Sequence, residues 1–172
     1  SSAVTVNPSA FGDVQFSSDS LTLNAGTSAF ILQGKCDMFS TGGYNAMNFY
    51  NVIFEQMKSD MKFQTSSANH TFNKLEFAAS TENYTKTIYG DNIFDTLALS
   101  TSLQPYYFEK LKTQTVNSTL IANGSPCGRI LMYSTSTLTS EEAKFKTLPG
   151  NDLYVSYGEL RNVTADLNGG TS

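Results

Sequence analysis

Ser28-Ala-Phe-Ile-Leu-Gln-Gly-Lys-Cys36 carries three apolar residues in succession, a glycine near its end and one of the two cysteines of the chain. A strand with one face in water would alternate, so Phe30, Ile31 and Leu32 predict a strand buried on both faces at the centre of a core. The other cysteine, Cys127, precedes a similar run, Arg129-Ile-Leu-Met-Tyr133. A disulfide between Cys36 and Cys127 is therefore expected to tie two central elements. In the chain-entropy model such a long loop is worth roughly 4 to 5 kcal/mol, less any native strain. The competing reading is a pair of buried free thiols, since unpaired cysteine is among the most buried residue types.

Upstream of this stretch, Ala3-Val-Thr-Val6 reads as a short strand stopped by Asn7-Pro8. Val14-Gln-Phe16 and Leu21-Thr-Leu23 alternate as half-buried strands do, and Asn24-Ala-Gly-Thr27 supplies a turn. Downstream, Thr41-Gly-Gly43 breaks the chain. From Asn48 the residues Tyr50, Ile53, Phe54, Met57 and Met61 fall at helical spacing, which predicts an amphipathic helix with Asn45 or Asn48 as cap. Val52, Ile53 and Phe54 would equally suit a strand. Residues 71–77 and 84–89 return to strand patterns, whereas 91–99 and 105–111 are expected to form helical turns, the second with Pro105 in its first turn. Residues 115–121 and 129–133 read as strands, and Thr139-Ser-Glu-Glu142 matches a capping box that predicts a short helix through Phe145. Leu148-Pro-Gly-Asn151 has the residues of a type II turn, and 153–157 and 160–167 would close the sheet.

No internal repeat and no domain boundary is read from this order. The sum is a mainly β protein, an antiparallel β-sandwich or flattened barrel with one or two short helices, with an α+β layer as the alternative. It forms a single domain over 1–172 with a flexible tail at 168–172.

Composition points to a compartment. Of 172 residues 40% are hydrophobic but only 15% charged, so Ser, Thr and Asn carry much of the surface, as in secreted and surface proteins. With 11 Lys and Arg, a net charge of −4 and no basic cluster, nucleic acid is excluded as a partner, because nothing would neutralise its phosphates. No apolar run is long enough to span a bilayer. The start at Ser1 without methionine is read as a mature end left by removal of a signal peptide.

Asn-x-Ser/Thr acceptors for N-glycosylation occur at Asn69, Asn83, Asn117, Asn123 and Asn162, with Pro126 making Asn123 a poor one. A sugar must point into water, so an outward Asn117 places Val116 and Leu120 inward. The catalytic inventory is thin. The single histidine, His70, sits inside an acceptor triplet and is expected at the surface, so no catalytic residue and no cofactor is assigned, and zinc or copper has no ligand set. Asp91, Asp95 and Asp152 offer oxygens to calcium without the spacing of a known loop.

Three functions follow. The first is a secreted or cell-surface glycoprotein module working by adhesion or assembly, with a protein or glycan partner. The second is a β-barrel around a small apolar ligand. The third is a glycoside hydrolase drawing two carboxylates from Glu55, Glu76, Glu109 and Glu159, with tyrosine replacing the absent tryptophan as sugar platform. Tyr106-Tyr107-Phe108 is the candidate interface, because three adjacent aromatics cannot all point inward from one element. Strand addition at Ala3-Val-Thr-Val6 is the corresponding route to self-assembly.

Overall fold

A computed structural model describes residues 3–6, 12–17, 26–34, 36–42, 46–57, 60–64, 70–79, 84–100, 103–151 and 153–166. In chain order the strands are β1 (Ala3–Val6), β2 (Gly12–Ser17), β3 (Ala29–Gly34), β4 (Cys36–Gly42), β5 (Asn48–Met57), β6 (Met61–Gln64), β7 (His70–Phe77) and β8 (Lys86–Tyr89). There follow β9 (Asn92–Leu99), β10 (Pro105–Phe108), β11 (Thr113–Asn123), β12 (Ile130–Ser134), β13 (Ala143–Thr147), β14 (Tyr154–Ser156), β15 (Gly158–Arg161) and β16 (Val163–Asp166).

The strands form two sheets. One runs β1-β3-β5-β7-β9-β11-β13-β16, with β14 also beside β11, and the other runs β15-β12-β10-β8-β6-β4-β2. Each pairing between these strands is parallel. Through β13 the chain lays one strand in the first sheet, crosses, lays one in the second and returns one rung further on. This is a β-solenoid, in which each coil packs only on its neighbours.

Parallel in-register winding stacks like on like. Phe49, Phe72, Phe94 and Val116 occupy equivalent positions of β5, β7, β9 and β11, and Val52, Leu75, Leu97 and Leu120 form a second column. Leu32, Phe54, Phe77 and Leu99 make a third. The Phe49 and Phe72 rings stack with centroids 4.9 Å apart, and those of Phe54 and Phe77 lie 5.1 Å apart. The second sheet closes the core from the other side: Phe63 packs edge-on against Phe54 and Phe72, and Tyr106 against Phe77. Each such aromatic pair adds about 1 kcal/mol beyond the area it buries.

Polar residues stack as well. Asn51 and Asn73, 22 residues apart, are linked by a side-chain amide hydrogen bond of 2.9 Å, and Asn117 donates to Asp95 over the same separation. Where the chain enters the first sheet, the buried side chains of His70, Asn92 and Gln114 stand in register. His70 Nδ1 accepts the Met47 amide at 3.0 Å, Asn92 Nδ2 donates to Gln114 Oε1 at 2.9 Å, and Gln114 Nε2 donates to the Gly90 carbonyl. Gly90 turns the chain here with φ +83°, a value glycine adopts without the penalty of a side chain.

This architecture corrects the expected one. The fold is neither an antiparallel sandwich nor a barrel, and the described residues contain no helix, which also removes the α+β layer. The expected helix from Asn48 is β5 and β6. Segments 91–99 and 105–111 contain β9 and β10, and the capping-box segment is a turn into β13. The helical spacing of Tyr50, Ile53, Phe54, Met57 and Met61 is a coincidence of two successive strands, β5 and β6. The repeat is real: from β3 to β11 the first sheet returns after 22 or 23 residues, as the Gln33–Glu55 and Met47–His70 bonds show, while the coil length varies elsewhere. In the opening stretch Leu32 is buried, while Phe30 and Ile31 are half-buried. The type II turn is present, with Gly150 at φ +87° and the Asn151 amide donating to the Leu148 carbonyl at 3.1 Å.

The disulfide is also corrected. Cys127 is a free, exposed thiol in the turn before β12, whereas Cys36 opens β4, whose side chains lie outside the described ones. Between β12 and β4 stand β10, β8 and β6. Four strand spacings amount to roughly 19 Å, well beyond the Cα separation of about 7 Å that a disulfide tolerates.

Candidate functional site

The outward face of the second sheet holds the most developed surface feature. Strand alternation sends Tyr106 and Phe108 of β10 into the core, both fully buried, and turns Tyr107 outward. Register then places Tyr133 of β12 beside Tyr107 and Arg161 of β15 beside Tyr133. The two tyrosine rings meet edge to face, with centroids 5.8 Å apart and planes at 67°. The Arg161 guanidinium carbon lies 4.8 Å from the Tyr133 centroid, within cation–π range.

Glu159 links this column. Its Oε1 accepts Tyr133 Oη at 3.0 Å and Arg161 Nε at 2.8 Å, and Arg129 Nη1 stands 3.7 Å from Oε2. These donors, Tyr133 first and then Arg161, hold the carboxyl below its usual range, so it is an anion at neutral pH. Burial, reinforced by the bond to Glu159, pushes the Tyr133 hydroxyl up and keeps it protonated.

Beside the column runs an open groove of about 520 Å³ lined by Tyr107, Tyr133, Ser136, Thr137, Arg161 and Asn162, with Ser134 and Leu160. Its far wall is stiff. Ser136 Oγ donates to Glu141 Oε2 at 2.7 Å, Ser134 Oγ donates to the Glu141 carbonyl, and Lys110 Nζ donates to Glu141 at 2.9 Å. Asn162, at φ +51°, donates its side-chain amide to the Ser136 carbonyl at 2.9 Å and clamps β15–β16 to that wall.

The remaining candidates are scattered. Val116 and Leu120 point inward as expected, at 1% and 4% exposure, while Asn117 is half-buried with its amide directed at Asp95. Asn123 is exposed and accepts the Ser156 hydroxyl. Asn69 and Asn83 lie outside the described residues. His70 is not a surface residue but wholly buried. Asp91 accepts the Thr113 amide and the Lys112 ammonium, and Asp152 lies outside the described residues. Among the described residues no group of three or more His, Cys, Asp or Glu stands ready for a metal, and no helix is long and apolar enough to cross a membrane.

The hydrolase carboxylates do not converge on one groove. Glu55 and Glu76 lie on the first sheet, the former accepting Gln33 and the latter paired with Lys74 at 2.6 Å. Glu109 accepts the Gly90 amide at 2.7 Å, and Glu159 is held as an anion and so lacks the proton a general acid needs. Among the described residues the phenylalanine columns fill the space between the two sheets where an enclosed apolar ligand would sit. The apolar hollow at the C-terminal end, lined by Leu120, Met132, Phe145, Leu153 and Val155 among others, measures about 240 Å³ and lies open.

Tyr133, Arg161 and Asn162 were not joined by sequence reasoning as one site. The signal was spacing by coils, since Tyr107 and Tyr133 stand 26 residues apart and Tyr133 and Arg161 stand 28 apart, each one coil of the solenoid. Comparison of the chain with protein-family models, curated proteins and solved structures gives no match.

Proposed function

We propose that this chain is a non-catalytic adhesion module of an extracellular or cell-surface protein, holding a protein or glycan partner in the lateral groove beside β10, β12 and β15. The observation that carries the reading is the outward column Tyr107, Tyr133 and Arg161 beside a preformed groove of about 520 Å³. Binding loses least entropy where side chains are already ordered, and aromatic and arginine side chains dominate contact energies. A composition that is only 15% charged and rich in Ser, Thr and Asn supports the extracellular location.

The test is attachment of the labelled protein to intact cells and extracellular matrix, compared with a Tyr107→Ala/Arg161→Ala double variant whose circular dichroism matches the wild type. At least tenfold weaker attachment of the variant is expected, and equal attachment removes the groove from the function. Surface biotinylation of intact producing cells checks the location, and labelling only after lysis refutes it.

Assembly is a second reading, favoured by the open apolar hollow at one end and by edge strands β15 and β16, each with a single neighbouring strand. Sedimentation that is independent of concentration up to the millimolar range would dismiss it.

A further inference from the structure

We infer that the groove takes an extended, carboxylated oligosaccharide lying along the solenoid axis; this rests on the adhesion reading and names its ligand. Tyr107, Tyr133 and Arg161 succeed one another at one strand spacing, about 4.8 Å. That spacing is close to the length of one pyranose in a chain, so consecutive sugar rings meet consecutive side chains. The Tyr107 ring offers apolar surface to the C–H face of a pyranose, whereas the Tyr133 ring is covered by the Arg161 guanidinium and supports it. Thr137 and Asn162, also in the lining, bring a hydroxyl and an amide oxygen to the sugar hydroxyls.

Charge selects the acidic class. Around the groove Glu141 is matched by Lys110, but Glu159 is shared by two guanidiniums, Arg161 and Arg129. Among the residues that line the groove Arg161 is the charged one, in a protein whose net charge is −4. Both arginine side chains are well exposed, at 69% and 64%, and with Nε and Nη2 of Arg161 turned to Glu159, its Nη1 is the donor left for a ligand carboxylate. Glu159 meanwhile fixes the Arg161 fork through Nε and Nη2 and keeps it beside Tyr133. A neutral sugar would use Tyr107 and leave this charge unanswered. A uronic acid at the Arg161 end of the row answers it.

The test titrates the folded protein with trigalacturonate and with its fully methyl-esterified form, which keeps the size and loses the charge. Trigalacturonate is expected to bind at least tenfold more tightly, with affinity falling as salt rises. Arg161→Ala should abolish the preference, whereas Tyr107→Ala should weaken both ligands. Equal binding of the two forms overturns the acidic class, and absence of binding by either overturns the saccharide inference. If the sugars bind but the groove variants attach to cells like the wild type, the site stands and the adhesion reading fails. If attachment needs the groove but neither sugar binds, the partner is a protein.

Discussion

Lys86 is a lysine inside the solenoid, and its replacement tests whether the interior is as closed as the columns imply. Its side chain is 2% exposed and stands in register between Met61 and Tyr106, with Nζ donating to the Tyr84 carbonyl at 2.8 Å and lying 5.6 Å from the Tyr106 ring centroid. Burial pulls its pKa down from 10.5 to about 8, against the pull of nearby Asp60. A lowered lysine pKa means that the fold penalises the charged form. At about 1.4 kcal/mol per pH unit, the penalty is about 3 kcal/mol below pH 8, where both folded and unfolded chains carry the proton. It shrinks as pH rises from 8 toward 10.5, because the unfolded chain then still binds the proton that the folded chain has lost. By about pH 9.5 roughly 2 kcal/mol of it is recovered.

The perturbation is Lys86→Met, which keeps the apolar stem and deletes the titration. The assay is urea unfolding of both proteins followed by circular dichroism, near pH 7 and near pH 9.5. Wild-type stability is expected to gain on the variant by about 2 kcal/mol over this interval. The lost hydrogen bond to Tyr84 shifts the variant by a constant that cancels in the comparison. Parallel stabilities across the interval would refute the reasoning, because Lys86 would then have to be hydrated in both states.

Three further outcomes are expected. His70 is held neutral by burial, with its pKa lowered, so its contribution is present above the ordinary value of 6.5 and is lost as pH falls below it; unfolding midpoints should drop from pH 7 to pH 5, and His70→Asn, which still offers an acceptor toward Met47, should flatten that drop. Phe72→Ala removes the ring shared by the Phe49, Phe63 and Phe94 contacts and should cost about 3 to 5 kcal/mol in urea unfolding, with a loss under 1 kcal/mol ruling out a close-packed column. Cys127 should react with a thiol reagent in the native protein within minutes, and reductant should leave the thermal midpoint unchanged; a native mass two hydrogens short of the reduced one would contradict the separation of the cysteines.

Much of the strand content was legible in the residues alone. Alternation identifies which side chains face inward, so Val116 and Leu120 inside with Asn117 between them, the strands at 71–77 and 129–133, and the turn at Leu148-Pro-Gly-Asn151 follow from local chemistry. Tyr106-Tyr107-Phe108 was marked as a triplet that cannot all point inward, but on an expected helical turn; only the strand β10 decides that Tyr107 is the one turned outward.

What local chemistry leaves open is the neighbour. A period of two tells a strand which face is apolar but not whether the strand beside it runs parallel or antiparallel, nor how far along the chain it comes from. Only the coil, returning after 22 residues to lay Phe72 on Phe94 and Asn73 on Asn51, decides that. The same winding parts Cys36 from Cys127 by intervening rungs and carries Tyr107, Tyr133 and Arg161 from three distant segments into one row. Burial is written residue by residue, whereas a site assembled from stacked coils exists only once the chain has closed its turns.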